Sequence, residues 1–278
     1  MTLDLIKKYT IKAKKSLGQN FLVNDDILQS IADTFEIKDK NIIEVGPGYG
    51  ALTEKLLEKK PSKLTLIELD REMIEILQNR INSGDFKNSE KICIKNIDIL
   101  KYFPEFKEDY FVIANIPYYI TSPILRHFLY DLEKSPEKML ILMQKDVGDK
   151  IILGQEKNGK VKSSVLSLFV AKKCTAREII FVGKQNFFPS PKVESSVILF
   201  ERHNDFDFLD DKIFFDFIKK AFVEPRKKLI NNLSKAGFDK DFVKNIFKQK
   251  NIDENIRPED LSISNWCDLI LDFNKNLT

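Results

Sequence analysis

Short apolar runs alternate with helix-like segments through roughly the first two hundred residues of the chain. Strands that alternate with helices pack into a parallel sheet with helices on both faces, so the pattern predicts an α/β fold. The last two predicted strands are joined without a helix, and we therefore expect one antiparallel strand. The predicted strands are 41–45, 63–69, 91–95, 110–114, 139–143, 176–182 and 193–201, and the predicted helices are 51–60, 71–82, 121–133, 145–153 and 162–173.

The pattern changes after His203. Residues 204–211 are rich in Asp and Asn, which is typical of a linker. Beyond them only helical periodicity remains, at 212–222, 225–235, 239–249 and 262–273. The sequence therefore predicts two domains, a sheet domain over residues 1–203 and a small all-helical domain over residues 204–278.

Composition excludes several classes of protein. The net charge is only +3, with 43% hydrophobic and 31% charged residues, as in ordinary globular proteins. Three cysteines that are far apart, without a CxxC pair, and only two histidines argue against disulfides, zinc or a histidine metal centre, so we expect no metal. No apolar run approaches a membrane span, and no apolar core follows the N-terminal lysines, so we expect no membrane association and a cytoplasmic protein.

A glycine-rich turn follows the first predicted strand of the sheet. Gly46 and Gly48 there permit a tight turn and a close approach of a ligand to the backbone, although a purely structural turn is about as common. Glu68 ends the next strand about twenty residues later, where an acid accepts hydrogen bonds from ribose hydroxyls. Asp70 is the alternative acid. The turn lacks the third glycine at dehydrogenase spacing, which favours a methyltransferase over an NAD-dependent dehydrogenase.

Two further polar residues follow later strands. Asp98 can accept a hydrogen bond from an adenine amino group, or it can simply cap a turn. Asn115 begins a segment that continues with Ile116, Pro117 and Tyr118, and this tetrapeptide resembles the N-[IL]-P-[YF] signature of adenine-N6 methyltransferases. An amide oxygen and a backbone carbonyl could hold the two amino hydrogens, while the tyrosine offers a flat face to an extruded base.

Taken together, these motifs resemble those of the ribosomal RNA adenine dimethyltransferase family, and especially its bacterial small-subunit branch. The likeness spans nearly the whole chain. It includes four more segments, at residues 14–22, 142–147, 187–193 and 221–231. Tyr119 departs from the family, which often has Asn there, and so does the pair Ser163 and Ser164. The resemblance implies a Rossmann-like class I methyltransferase sheet followed by a small all-α C-terminal domain.

The resemblance also implies a cofactor, a substrate and site residues. The cofactor is S-adenosylmethionine, and the expected contacts to it are Asn20, Leu22, Gly46, Gly48, Glu68, Asp98 and Asn115. The expected catalytic residues are Asn115, Ile116, Pro117, Tyr118 and Phe187, the last stacking on the second face of the base or serving as a core aromatic. The expected reaction is dimethylation of two adjacent adenines near the 3′ end of small-subunit ribosomal RNA, by a monomer acting on the assembling subunit.

Two basic clusters are candidate phosphate contacts. They consist of Lys14 and Lys15 near the N-terminus, and of Arg226, Lys227 and Lys228 in the helical region. A solvated tail and a solvated helix face would carry the same residues.

Two alternatives to the expected reaction stay open, namely a macrolide-resistance enzyme that modifies large-subunit RNA and a non-catalytic ribosome assembly factor.

Overall fold

The computed structural model of the chain describes residues 2–155 and 161–275. Within these ranges there are nine strands and eleven α-helices. The strands are β1 (Phe21–Leu22), β2 (Asn41–Val45), β3 (Lys63–Glu68), β4 (Ile92–Asn96), β5 (Tyr110–Asn115), β6 (Lys138–Gln144), β7 (Cys174–Val182), β8 (Phe187–Phe188) and β9 (Ser195–Arg202). The helices are α1 (Thr2–Lys8), α2 (Asp25–Ala32), α3 (Ala51–Glu58), α4 (Arg71–Asn82), α5 (Thr121–Arg126), α6 (Lys145–Leu153), α7 (Val165–Ala171), α8 (Asp211–Ala221), α9 (Leu229–Lys235), α10 (Lys240–Gln249) and α11 (Ile263–Lys275).

Seven strands form one sheet in the order β4-β3-β2-β5-β6-β9-β7. Strands β2 to β6 pair in parallel, and β9 runs antiparallel to β6. The predicted α/β fold with an antiparallel strand is therefore confirmed. From β2 the chain first builds outward through β3 and β4, then returns to build the other side through β5 and β6. Ligands bind in the crevice outside the carboxyl ends of the strands at such a switch point.

A second, two-stranded sheet was not predicted. Strands β1 and β8 pair antiparallel, with Phe21 opposite Phe188 and Leu22 opposite Phe187. A two-residue strand is too short to show a hydrophobic period, so no sequence pattern could predict it. The pairing brings the N-terminal segment beside the segment that contains Phe187.

Burial explains why the central strands read as continuous apolar runs. Four of the five residues of β2 and five of the six residues of β5 are buried. Helix α4 packs against β3 and β4 and buries Met73, Ile74 and Leu77. Asp70 precedes the helix as its N-cap, and its carboxylate accepts the backbone N–H of Glu72. A side chain that caps the first turn in this way stabilises the start of a helix.

The chain divides into two compact units. The first contains the described residues up to Gly148 together with Arg177–Glu201, and the second contains the described residues between Asp149 and Ala176 together with those from Arg202 onward. The sequence predicted a single boundary after residue 203. In the structure, however, residues 149–155 and 161–176 belong to the second unit. Helix α7 packs on α8 within the second unit.

Aromatic side chains dominate the core of the second unit. Phe217 and Phe273 pack edge to face with their ring centroids 5.0 Å apart, and Trp266 is fully buried beside them. The departure at Ser163 and Ser164 is structural here, because Ser163 donates to the Leu261 carbonyl and Ser164 caps α7.

Some predicted helix ends shift for local reasons. The helix predicted at 225–235 begins only at Leu229, because Glu224 and Lys227 close a turn that includes Pro225. The helix predicted at 121–133 ends as α5 at Arg126 and continues as one π-helical turn, His127–Asp131. None of the helices in the described part of the chain combines the length and the apolar composition needed to cross a membrane.

Candidate active site

A cleft lies at the carboxyl ends of β2, β3 and β5. The empty space in it amounts to about 910 Å³, and part of that space is open to solvent. Its walls are the N-terminal segment 17–21, the glycine turn after β2, the end of β3, the segment 97–99, the segment 115–120 and Phe187. Every predicted cofactor and catalytic residue lines this cleft except Leu22, which is buried beside it.

The glycine turn lets two strand ends approach closely. Gly46 has a φ of +71°, and a Cβ atom there would lie 2.5 Å from the backbone carbonyl oxygen of Asn115. Only glycine fits both constraints. The buried guanidinium of Arg80 donates to the carbonyls of Tyr49 and Gly50 at 2.8 and 3.0 Å, which fixes the rest of the turn.

Glu68 is the acid at the edge of the cleft. Its two carboxylate oxygens accept the backbone N–H groups of Gly48 at 3.1 Å and of Leu69 and Asp70 at 2.9 Å each. Burial raises the pKa of Glu68, and the three N–H donors oppose that rise. The carboxylate is thus held in one orientation, in which it can accept hydrogen bonds from hydroxyl groups of a ligand.

The alternative acid, Asp70, has a different function. It does not line the cleft, and its carboxylate accepts from Lys14 at 2.7 Å and Gln19 at 2.8 Å while it caps α4. Burial alone would raise the pKa of Asp70, but the hydrogen bonds from Lys14 and Gln19 lower it below its usual value. Asp70 therefore ties the N-terminal segment to the end of β3.

The two N-terminal lysines differ in their surroundings. Lys14 forms ion pairs with Asp70 at 2.7 Å and with Glu72 at 3.1 Å, so its charge is already compensated within the protein. Lys15 is exposed, and no acidic side chain in the described ranges pairs with it. Of these two lysines, Lys15 is the one without an ion pair to any described residue.

Asp98 caps a turn and also lines the cleft. Its Oδ1 accepts the backbone N–H of Leu100 at 3.0 Å and begins the short 3-10 turn Ile99–Lys101. The residue also lines the cleft, and no hydrogen bond from a described residue to its other carboxylate oxygen is present. A turn-capping aspartate and a ligand acceptor are therefore compatible here.

Two hydrogen bonds hold the segment that follows Asn115 in place. The N–H of Ile120 donates to the Pro117 carbonyl at 3.1 Å, and the Tyr118 hydroxyl lies 2.6 Å from the Ser195 hydroxyl. Burial raises the pKa of the Tyr118 phenol, which therefore stays neutral. The Asn115 carboxamide lines the cleft and forms no hydrogen bond with any residue that the structure describes. Ile116 is 4% exposed, so it offers a ligand chiefly its backbone.

Phe187 is both a core residue and a wall of the cleft. It is 5% exposed and packs with the main apolar cluster of the first unit. It pairs with Leu22 across the small sheet. This position keeps an aromatic surface at the cleft beside the segment that contains Tyr118.

Several functional neighbours had no sequence signal. Ser195 holds the Tyr118 hydroxyl from 77 positions away, and Arg80 reaches the glycine turn from α4. Such partners depend on tertiary packing, which a single sequence does not reveal. Within residues 2–155 and 161–275, no group of three or more His, Cys, Asp or Glu side chains could hold a metal ion.

The second basic cluster belongs to the helical unit. Arg226, Lys227 and Lys228 are exposed in the turn before α9, and Lys228 Nζ lies 2.5 Å from Asn255 Oδ1. Lys227 borders a shallow depression together with Lys235 and Lys240. This turn is a local concentration of positive charge, as phosphate-binding surfaces require.

A comparison with known proteins shows which family the chain belongs to. A profile of the family "Ribosomal RNA adenine dimethylase" matches residues 10–275. The chain therefore belongs to the ribosomal RNA adenine dimethylase family, and the resemblance drawn from the motifs is confirmed.

Several relatives share the name "Ribosomal RNA small subunit methyltransferase A". The protein from Mycoplasma mobile is 36% identical over 94% of this chain and 98% of its own length. The protein from Clostridium botulinum is 37% identical over 95% of each chain.

Solved structures support the fold. A dimethyladenosine transferase from Plasmodium falciparum superposes with a TM-score of 0.75 at 24% identity, over 91% of this chain and 96% of that one. The 23S rRNA methyltransferase ErmE gives a TM-score of 0.72 at 20% identity, over 92% of this chain and all of the other. At these identities the likeness is one of fold alone, and it agrees with the predicted Rossmann-like methyltransferase class.

Proposed function

We propose that the protein transfers methyl groups from S-adenosylmethionine to N6 of two adjacent adenines near the 3′ end of small-subunit ribosomal RNA. It acts as a monomer, in the cytoplasm, on the assembling small subunit. The observation that carries the proposal is the Asn115 carboxamide, which lines the cleft and has no hydrogen-bond partner among the described residues. The small-subunit relatives support the choice of substrate over large-subunit RNA.

The donor set of the cleft fits S-adenosylmethionine. Glu68 presents a fixed carboxylate for ribose hydroxyls, and Asp98 presents an acceptor for the adenine amino group. Gly46 and Gly48 leave room for close approach of the ligand, while Asn20 and Asn115 add polar groups. Leu22 would contribute indirectly, because it is buried behind the cleft.

Catalysis rests on positioning. When bound, the cofactor supplies an electrophilic methyl group on its sulfonium. The Asn115 side-chain oxygen accepts one hydrogen of the target amine, and a backbone carbonyl near Ile116 accepts the other, which directs the nitrogen lone pair. Pro117 shapes this backbone, and Tyr118, held by Ser195, supplies a stacking face, with Phe187 as the second aromatic wall. The amine becomes acidic once it is methylated, so no strong base is needed.

Positive charge on both units would guide the RNA. Lys15 lies beside the cleft, and Arg226, Lys227 and Lys228 lie on the helical unit. Lysine and arginine contacts to phosphates supply most of the sequence-independent affinity for nucleic acid. Lys14 supports this surface only through its anchoring of the N-terminal segment.

Substitution of Asn115 tests the proposal. In Asn115→Ala we expect kcat for methyl transfer to fall about 100-fold or more, as when a polar group that stabilises the transition state is lost. Cofactor affinity, measured by calorimetry with S-adenosylhomocysteine, should change only a few-fold. The matched control is Asn79→Ala, which alters an exposed asparagine on α4 outside the cleft. Equal losses of affinity and kcat would contradict the assigned role.

A further inference from the structure

Tyr119 is an exposed aromatic residue at the rim of the cleft. Its side chain is 68% exposed, although it lines the same cleft as Tyr118. The two tyrosines are consecutive in the 3-10 turn Tyr118–Ile120, but only Tyr118 has a bonded hydroxyl. No described residue bonds the Tyr119 hydroxyl. A large aromatic surface in water costs free energy that a stacking partner would recover.

The Tyr119 ring is supported from one side by the N-terminal segment. A Cβ atom on Gly18 would lie 3.5 Å from Tyr119 Cε1 and 3.2 Å from Pro117 Cβ. Gly18 also has a φ of +61°, so a glycine there allows close contact with the rim. The ring thus lies close to Gly18, while most of the residue's surface stays accessible to a stacking base.

A free cation lies one short turn away. Lys15 begins the 3-10 turn Lys15–Leu17, which ends at Gly18, whose N–H donates to the Lys15 carbonyl at 3.1 Å. Lys15 is exposed and has no ion pair among the described residues, in contrast to Lys14. An aromatic ring for a base next to a cation for the phosphate is the arrangement that binds single-stranded nucleic acid.

We propose that Tyr119 and Lys15 form a subsite for the nucleotide adjacent to the target adenine. The neighbouring base stacks on Tyr119, and the phosphate between the two nucleotides contacts Lys15. The subsite rests on the proposed function, since it needs a target base in the cleft beside Tyr118. It orients the strand and does not take part in bond formation, so Tyr119 is a positioning residue.

Steady-state kinetics on small ribosomal subunits that lack the modification test the subsite. In Tyr119→Ala we expect KM for the subunits to rise roughly 5- to 100-fold with kcat little changed, because a stacked base is lost. Tyr119→Phe keeps the ring and should restore most of the affinity. Phe103→Ala is the control, because Phe103 is 61% exposed but does not line the cleft. Affinity for S-adenosylhomocysteine reports whether each variant is folded.

The two contacts should also be coupled. Because both hold one nucleotide, we expect the effects of Lys15→Ala and Tyr119→Ala on KM to be less than additive in the double variant. An unchanged KM in Tyr119→Ala, equal losses in the Ala and Phe variants, or full additivity with Lys15→Ala would overturn the proposal. Failure of the wild-type protein to methylate RNA would instead refute the proposed function.

Discussion

Single residues in and behind the cleft differ mainly in whether the protein already satisfies their polar groups. The Asn115 carboxamide has no partner among the described residues, whereas the Asp70 carboxylate is engaged by Lys14, Gln19 and the start of α4. The sequence alone favoured Glu68 over Asp70 by its position at the end of a strand. Glu68 lines the cleft and Asp70 does not, but the anchoring function of Asp70 could not be predicted, because Lys14 is 56 positions away.

Glu44 provides a prediction about pH. It is 1% exposed on β2 and accepts a hydrogen bond from Thr53 Oγ1 at 2.7 Å. Burial raises the pKa of Glu44 from 4.5 to about 8. Because the folded state holds this proton more tightly than the unfolded state, the stabilisation is full below pH 4.5 and is lost as the pH rises through about 8.

Urea unfolding between pH 5 and pH 8.5 measures this effect. The free energy of unfolding of the wild type, relative to Glu44→Gln, should fall across this range by an amount on the order of a few kcal/mol. Glu75→Gln, at an exposed position of α4, is the control, and the free energy of unfolding of the wild type relative to this variant should stay constant with pH. Parallel pH profiles for wild type and Glu44→Gln would show that Glu44 does not titrate in this range.

Among the elements, the N-terminal segment depends most on tertiary contacts. It lines the cleft from residue 17 to residue 21, yet its regular structure there is only the 3-10 turn Lys15–Leu17 and the two-residue strand β1. The long strands and helices of the sheet were predictable because their apolar periods are strong. The segment's position was predictable only through its resemblance to a family motif, because pairing with β8 and the ion pair with Asp70 leave no periodic pattern.

Removal of the anchor should loosen this segment. In Lys14→Met the N-terminal segment loses its ion pair with Asp70 and should line the cleft less firmly. The pair is half-buried, so its strength lies between that of exposed and of fully buried pairs, and we expect affinity for S-adenosylmethionine to fall about tenfold. Because the reacting groups are untouched, kcat should change little. Lys12→Met, at an exposed position of the same segment, is the matched control. Calorimetric affinities that are the same for both variants would refute the anchoring function.

At the scale of the whole molecule, the sheet unit contains the cleft and the helical unit contains the second basic cluster. The change from alternating elements to helices alone predicted a second unit, but it did not predict that residues 149–176 belong to it. Buried Lys172 explains part of this packing, because it donates to the Leu209 carbonyl and pairs with Asp211 within the helical unit. Nothing in the sequence around Lys172 identifies it as a buried lysine.

The basic cluster of the helical unit predicts salt-dependent binding. Replacing both Lys227 and Lys228 with Ala should weaken binding to small subunits and reduce the slope of log affinity against log salt by about 1 to 2, roughly one for each lost phosphate contact. Lys87 and Lys91 are exposed in the first unit, so their double replacement makes the same charge change elsewhere. An unchanged slope in the first variant would place the RNA contacts outside this cluster.

The proposed reaction is tested most directly by transfer of labelled methyl groups from S-adenosylmethionine to ribosomal subunits. These subunits come from a strain that lacks the modification. Small and large subunits are offered separately, and the RNA is digested to nucleosides for analysis. We expect N6,N6-dimethyladenosine in small-subunit RNA at two adjacent positions, and no label in large-subunit RNA. Label confined to large subunits would contradict the assigned substrate, and binding to small subunits without any transfer would contradict the assigned catalysis.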